Sequence, residues 1–400
     1  MKVSAVICEY NPLHNGHVYH IRETRRNGAT HIIALLSSNL VQRGDVALLS
    51  KFDRAQLAVR AGADLVIELP SAFSCAAAED YATGAITLLD RLGIVDELSF
   101  GCSTGDLEIL SLLTEAAIST TQIYGKRIVE LMREGNSYPS AVWEIVRQRY
   151  GKQVAGKMHD PNNLLAIEYM KAMRKLGVSF QPFTVARRCV MHDSMETQEQ
   201  FASATFVRKS VLEGDLNYID FVPSYTAKML ADRINEGKTA TLRRLERPIL
   251  YRMRTISEEE LMQVPDMNEA LCSRFYAARN ASSLDELLSA VKTKCYTMAR
   301  IRRAMMCAMA GIRREALRVE PPYARVLAFN DRGCELMGMA QKKSRIPIHS
   351  SLAKLRGMGP VCQAFVAMEE RASNVYGLAQ REITSSEEDF RARIIKGSVL

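Results

Sequence analysis

Two histidines three residues apart, His14 and His17, enclose Gly16 in the run His14-Asn15-Gly16-His17, directly after Glu9-Tyr10-Asn11-Pro12-Leu13. On a helix, residues three apart share a face, so both rings can address one ligand. Gly16 has no side chain to block close approach of a ligand to the backbone. The run follows an apolar segment, residues 3–8, and opens a helical one, residues 15–26. It therefore stands at a helix start, where unpaired N–H groups and positive potential attract anions. The chemistry this favours is electrostatic: holding a triphosphate and stabilising the charge that develops as pyrophosphate leaves, with no histidine nucleophile. At this chain's His and Gly frequencies the pattern HxGH arises by chance roughly 0.007 times in such a length. Purely structural histidines, or zinc held by His14, His17 and His20, are the competing readings. The zinc reading lacks an HExxH pattern and has only Cys8 as a nearby thiol. The phosphate-loop pattern GxxxxGK[ST] and the dinucleotide pattern GxGxxG are both missing.

The elements that must position this run alternate. Residues 3–8, 31–36, 64–69 and 97–100 are short apolar runs, and residues 15–26, 51–61 and 76–92 between them have helical spacing. This predicts βαβ units and a mostly parallel α/β sheet. Ligands of such sheets lie beyond the carboxyl ends of the strands, which points to residues 9–17, 37–44 and Gly101 onward. Residues 106–150 and 162–175 turn helical. Residues 180–186 read as the last core strand, at an edge because of Pro182. Ser203-Ala204-Thr205 opens another helix with Ser203 as its cap. Beyond residue 215 strand signals are few, and residues 225–312 read as consecutive amphipathic helices. Pro321-Pro322 reads as a joint before a small subdomain, followed by a loose polar tail from Ser385.

Composition narrows the class. The 400 residues hold 53 Lys and Arg against 45 Asp and Glu, a formal charge of +8, with 47% hydrophobic and 24% charged residues. That balance excludes disorder over most of the length. No apolar run approaches the ~18 residues of a membrane span, and the first apolar stretch breaks at Glu9, as a strand does and a signal peptide does not. Nine cysteines, none within four residues of another, fit buried reduced thiols in a cytoplasmic protein.

A second feature is the segment 292–314, with seven basic residues and no acid. Ile301, Met305 and Ala308 share one helical face, leaving Arg300 and Arg303 to point outward as a cationic ridge suited to RNA phosphates, with residues 341–345 as an extension. A merely solvated helix face is the alternative. Aromatic residues able to stack a base are scarce: Trp143 is the one tryptophan, and Tyr296 lies near the ridge.

These stretches together carry a resemblance. The HxGH run resembles the nucleotidylyltransferase superfamily, whose Rossmann-like fold is shared with class I aminoacyl-tRNA synthetases. More narrowly, the chain is similar over nearly its full length to the tRNA(Met) cytidine acetate ligase family. The matching stretches are residues 9–20, Asn39-Leu40-Val41-Gln42-Arg43-Gly44, residues 62–70, Pro161-Asn162-Asn163 with Glu168-Tyr169, Ser203-Ala204-Thr205, and residues 294–303. It departs from the family at Ser38 and Ala270, where glycine is usual, and in the run after Arg188.

The resemblance implies an ATP-dependent ligase that activates acetate as acetyl-adenylate and acetylates the wobble cytidine of elongator tRNA(Met). It implies catalytic roles for His14 and His17. ATP contacts are expected along Ile7, Cys8, Glu9, Tyr10, Asn11, Pro12, Leu13, His14, Asn15, Gly16, His17, Val18, Tyr19 and His20, and then at Gly101, Asn162, Arg187 or Arg188, Ser203 and Thr205. Lys294, Arg300, Arg302 and Arg303 are expected to bind tRNA. Mg²⁺ is expected to travel with the nucleotide, and neither DNA nor a membrane is expected as a partner. The expected layout is an adenylating domain over residues 1–215 and a helical tRNA-binding domain over 216–400, with its small subdomain from about 323. The rival readings are an adenylyltransferase acting on a small phosphorylated acceptor, and a non-catalytic nucleotide-dependent RNA-binding protein.

Overall fold

The computed structural model describes residues 1–103, 105–158, 160–186 and 201–397. The expected strands form: β1 (Val3–Cys8), β2 (His31–Ser37), β5 (Leu65–Leu69), β6 (Glu97–Cys102) and β7 (Gln181–Ala186). A short hairpin, β3 (Leu40–Val41) and β4 (Asp45–Val46), stands apart as its own antiparallel pair. The main sheet runs β10-β8-β5-β2-β1-β6-β7, where β8 is Ala324–Phe329 and β10 is Ile395–Lys396; β9 (Ile348–His349) also pairs with β8. Every pairing in it is parallel except β5 with β8. The Rossmann-like α/β reading holds, and β7 takes the edge position that Pro182 requires.

Strands buried on both faces must be apolar at nearly every position, and all seven residues of β2 are buried. Alternate side chains serve opposite layers. Val3, Ala5, Ile33, Leu35, Leu65 and Ile67 join one core with the helix Ala78–Leu92. Val6, Cys8, Ile32, Ala34, Leu36 and Val66 join another with α1 (Asn15–Arg26) and α2 (Lys51–Arg60). The chain builds outward from β1 through β2 to β5, then returns to the other side of β1 with β6 and β7. The crevice beyond β1 and β6 is thus the topological switch point, where open α/β sheets place their ligands.

Three expectations about the C-terminal part are corrected. Phe180–Ala186 is not the last source of core strand, because β8 and β10 extend the sheet. The 323-onward segment does not stand off as a small unit of its own, and the sheet crosses the 215/216 division expected from sequence. The tail from Ser385 is not loose: Asp389, in the short helix Glu388–Arg391, is buried. The cause is a buried charge cluster. Lys51 Nζ contacts Glu68 Oε1 at 2.5 Å and Asp389 Oδ2 at 2.7 Å. Arg325 Nη1 contacts Asp389 Oδ1 at 2.6 Å and Glu68 Oε2 at 3.2 Å. Each charge buried alone would cost several kcal/mol, so the two cations and two carboxylates require one another. Glu369, a fifth member, accepts from the Ser71 N–H and, at 2.8 Å, from the Ser71 hydroxyl.

Burial, then the charge of Glu68, pushes the Glu369 carboxyl up to about 8 against the pull of Lys51. Protonated Glu369 leaves the cluster neutral, two charges against two. Between the ordinary glutamate value and 8 the folded protein therefore holds a proton that the unfolded chain has released, and stability falls as pH rises through that window. Glu369→Gln mimics the protonated form and is expected to flatten this slope between about pH 5 and pH 8. Denaturant unfolding across a pH series measures it; an unchanged slope in the variant contradicts the assignment.

Candidate active site

The HxGH run lies where the sequence places it, between the end of β1 and the first turn of α1. His14 is the N-cap of α1 in extended conformation, and its Nδ1 accepts from the Gly16 N–H at 3.1 Å. His17 Nδ1 accepts from the His14 N–H at 3.2 Å, completing a reciprocal capping box. The two rings stack at 3.7 Å with 27° between planes, and Tyr10 meets His17 edge-on at 4.9 Å. With both Nδ1 atoms accepting, each neutral ring carries its hydrogen on Nε2. Capping and ligand donation therefore use opposite sides of the same imidazole.

The loop ahead of the histidines is tied down from several directions. Asn11 Oδ1 accepts from the Leu48 N–H at 2.8 Å, and Glu9 Oε1 from the Gln42 N–H at 2.9 Å. Arg208, from the helix Ala204–Glu213, donates to Asn11 O at 2.7 Å and to Thr205 Oγ1 at 3.0 Å. This brings the Ser203-Ala204-Thr205 helix start beside the HxGH loop. Ser203 Oγ itself caps that helix, accepting from the Phe206 N–H at 3.0 Å, while Tyr19 packs edge-on to Phe201 at 6.2 Å. Asn15 Nδ2 donates to Asp220 O at 3.1 Å.

Across the switch point, Gly101 lies on β6, whose earlier residues pair with β1. His20 Nε2 stands 2.9 Å from Ser99 Oγ, so it joins α1 to β6. Ile7, Cys8, Leu13 and Val18 contribute to the cores or pack against them. Burial pushes the Cys8 thiol up to about 12, which removes it as a nucleophile. The side chain of Asn162, and Arg187 and Arg188, lie outside the described residues. Its neighbour Asn163 is buried and accepts from the Ser103 N–H at 3.0 Å, holding the chain as it leaves β6.

With this geometry in view, likenesses to known proteins are informative. The family described as HIGH Nucleotidyl Transferase matches residues 1–390. The tRNA(Met) cytidine acetate ligase of Caldanaerobacter subterraneus subsp. tengcongensis is 33% identical over 403 residues, covering 99% of this chain and 100% of that protein. The protein of the same name from Alkaliphilus metalliredigens is 33% identical, covering 95% of this chain and 94% of its own. The chain belongs to the tRNA(Met) cytidine acetate ligase family of HIGH nucleotidyl transferases. The crystal structure of apo Thermotoga maritima TmcAL superposes with a TM-score of 0.91 at 28% identity, and the same protein bound with alpha-thio ATP does so at 0.90 and 27%, each over 100% of both chains.

In this family member the basic helix Met298–Ala310 meets the site through the β3–β4 hairpin. Gly44, at φ +70°, lies so close to Arg302 and Arg303 that a Cβ there would stand 2.2 Å from the Arg303 backbone nitrogen. Burial pushes the Asp45 carboxyl up, while the Val46 N–H and then the charges of Arg302 and Arg208 draw it back. The expected outward-facing arginines are corrected in part. Arg303 is buried, donating to Asp266 Oδ2 at 2.7 Å and to Gln42 O at 3.4 Å. Arg300 donates twice to Asp266 O, at 3.0 and 2.8 Å, and lies 5.1 Å from the Tyr296 ring. Lys294 is exposed.

The residue sequence reasoning missed is Arg54. It is fully buried on α2, and its guanidinium donates to Glu9 O (2.7 Å), Ser37 O (3.0 Å), Ser38 O (2.6 Å) and Leu49 O (3.1 Å). One planar fork thus ties the chain leaving β1 to the chain leaving β2. Its surroundings in sequence look like an ordinary amphipathic helix with basic residues outside, which hides this role. Arg54→Met removes the donor from four inward carbonyls and is expected to cost about 3–5 kcal/mol, about 1 kcal/mol for each, measured by urea denaturation; a loss below about 1 kcal/mol would show that water replaces the fork.

Proposed function

We propose that this chain activates acetate with ATP and transfers the acetyl group to the wobble cytidine of elongator tRNA(Met), giving N4-acetylcytidine. The observation that carries the reading is the imidazole pair capping α1 at the switch point, beside the Arg208-bearing helix start. The relatives' names and the alpha-thio ATP bound by the Thermotoga maritima protein support it.

An acetate oxygen attacks the α-phosphorus, the bond to the bridging oxygen breaks, and pyrophosphate leaves. The amine N4 of cytidine then attacks the acetyl carbon, AMP leaves, and N4 loses a proton. The first step needs the negative charge on the departing pyrophosphate neutralised and the reactants aligned. The Nε2–H sides of His14 and His17, the positive end of the α1 dipole, and Arg208 suit that task. Asn162, Gly101 and one of Arg187 and Arg188 are assigned to the nucleotide on the family pattern. Among the described residues no three His, Cys, Asp or Glu side chains gather as a metal site. The donor set around the loop is cationic and N–H-rich, which fits Mg²⁺ arriving on the phosphate oxygens; when bound it neutralises phosphate charge.

The basic run that holds Lys294, exposed, and Arg302, half-buried, is assigned to tRNA. Among the described residues no helix is long and apolar enough to cross a membrane, and the proposed setting is the cytoplasm.

Purified protein with labelled acetate, ATP and either tRNA(Met) or no RNA tests the reaction. Acetylated RNA supports it. Pyrophosphate exchange indifferent to acetate indicates an adenylyltransferase for another acceptor, and no turnover indicates an RNA-binding protein. His17→Ala is expected to slow acetate-dependent exchange by about 10²–10³-fold while costing only about 1 kcal/mol of stability as a lost cap; near-normal exchange refutes its role. Lys294→Glu is expected to weaken tRNA binding and lower the slope of log affinity against log salt by about one, while equal affinity at all salt concentrations removes it from the interface.

A further inference from the structure

We propose that the helical segment between β6 and β7 carries a pocket for an unpaired nucleobase of the RNA, built around Trp143; this rests on the tRNA-modifying function proposed above. The helices Leu107–Arg133, Tyr138–Tyr150 and Lys152–Met158 enclose a groove of about 730 Å³, distinct from the HxGH loop. Trp143 forms part of its wall with Asn136, Ser140, Glu144 and Gln148, and Arg127, paired with Glu130 and Glu134, lies at the same groove. An indole plane offers a stacking surface to any base, and amides and hydroxyls offer donors and acceptors to its edge.

Two contacts place this groove between the regions assigned to RNA and to ATP. At the helical turn, Cys295 Sγ lies 3.7 Å from Gly135 O, so the basic run containing Lys292 and Lys294 abuts the rim beside Asn136. At the other end Gly156 lines the groove, and the adjoining Lys157 carbonyl accepts from Asn163 Nδ2 at 2.9 Å. Asn163 in turn holds Ser103, just past the end of β6. The surrounding surface interleaves aromatic and charged groups: the Arg147 guanidinium stands 5.6 Å from the Trp143 ring centre while paired with Glu144 at 2.6 Å, and Arg149 lies 5.6 Å from both Tyr124 and Tyr150. Lys126, Lys152 and Lys157 are exposed on the same segment. Aromatic planes set among cations are what a single strand requires, whereas a blunt duplex hides its base faces.

Trp143 is the one tryptophan of the chain, so its fluorescence reports on this groove alone. Unmodified tRNA(Met) transcript and an isolated RNA hairpin with an unpaired loop are expected to quench it, with a midpoint matching the Kd from filter binding. A blunt duplex of equal length is expected not to. Trp143→Ala should raise the Kd for the transcript about ten-fold, with Trp143→Phe recovering most of that. Unchanged fluorescence at saturating RNA, equal quenching by the duplex, or a lowered melting temperature in Trp143→Ala with unaltered RNA affinity would each overturn the pocket. Acetate-dependent pyrophosphate exchange by the wild type without RNA tests the parent function separately, so failure of one is distinguishable from failure of the other.

Discussion

Each of the two site imidazoles accepts a backbone N–H through Nδ1, and in the neutral ring that fixes the hydrogen on Nε2. The same bonds begin α1, so the helix start and the orientation of both donors form one device. A proton on either Nδ1 would leave that cap N–H without its acceptor. A neutral N–H adds no fixed charge that must be desolvated; the positive potential at the loop comes from the helix terminus and from Arg208.

That device works only if the strand-to-helix loop cannot drift, and the structure secures it largely with carbonyl-directed arginines. Arg54 takes Glu9 O, Arg208 takes Asn11 O, and Arg303 takes Gln42 O on the residue whose N–H holds Glu9. These arginines come from α2, from the helix after β7 and from the basic helix near residue 300. The loop therefore integrates packing from remote parts of the chain. The buried cluster of Lys51, Glu68, Arg325 and Asp389 does the same for the sheet, pinning β8 and the final helix against β5 and the start of α2.

Local order in this chain was legible wherever one segment decides its own fate. The first four core strands, α1, the cap at Ser203 and the edge position of β7 follow from apolar runs, turn residues and proline chemistry. The HxGH run was legible because its spacing is rare and its strand-to-helix setting is visible in sequence. What stayed hidden depends on partners far away in sequence. β8 reads as one short apolar run among helices until it pairs with β5, and Asp389 reads as solvated tail until Lys51 and Arg325 surround it. Asn163 and Arg54 carry no local sign that their polar atoms face inward.

The basic residues show why charge counts alone misjudge a nucleic-acid surface. A guanidinium can meet phosphate or it can satisfy carbonyls, and the latter leaves a sequence looking equally cationic. Arg300 and Arg303 turn back onto Asp266, whose carbonyl and carboxylate both face them, so two of the four expected RNA contacts are occupied within the fold. The exposed charge shifts to Lys294 and to the lysines of the segment after β6. Lysine on a surface has no planar fork to satisfy and keeps its hydration, so it remains available to a polyanion. Exposed basic charge is therefore displaced from the helix that the sequence marks towards the segment that the fold places beside it.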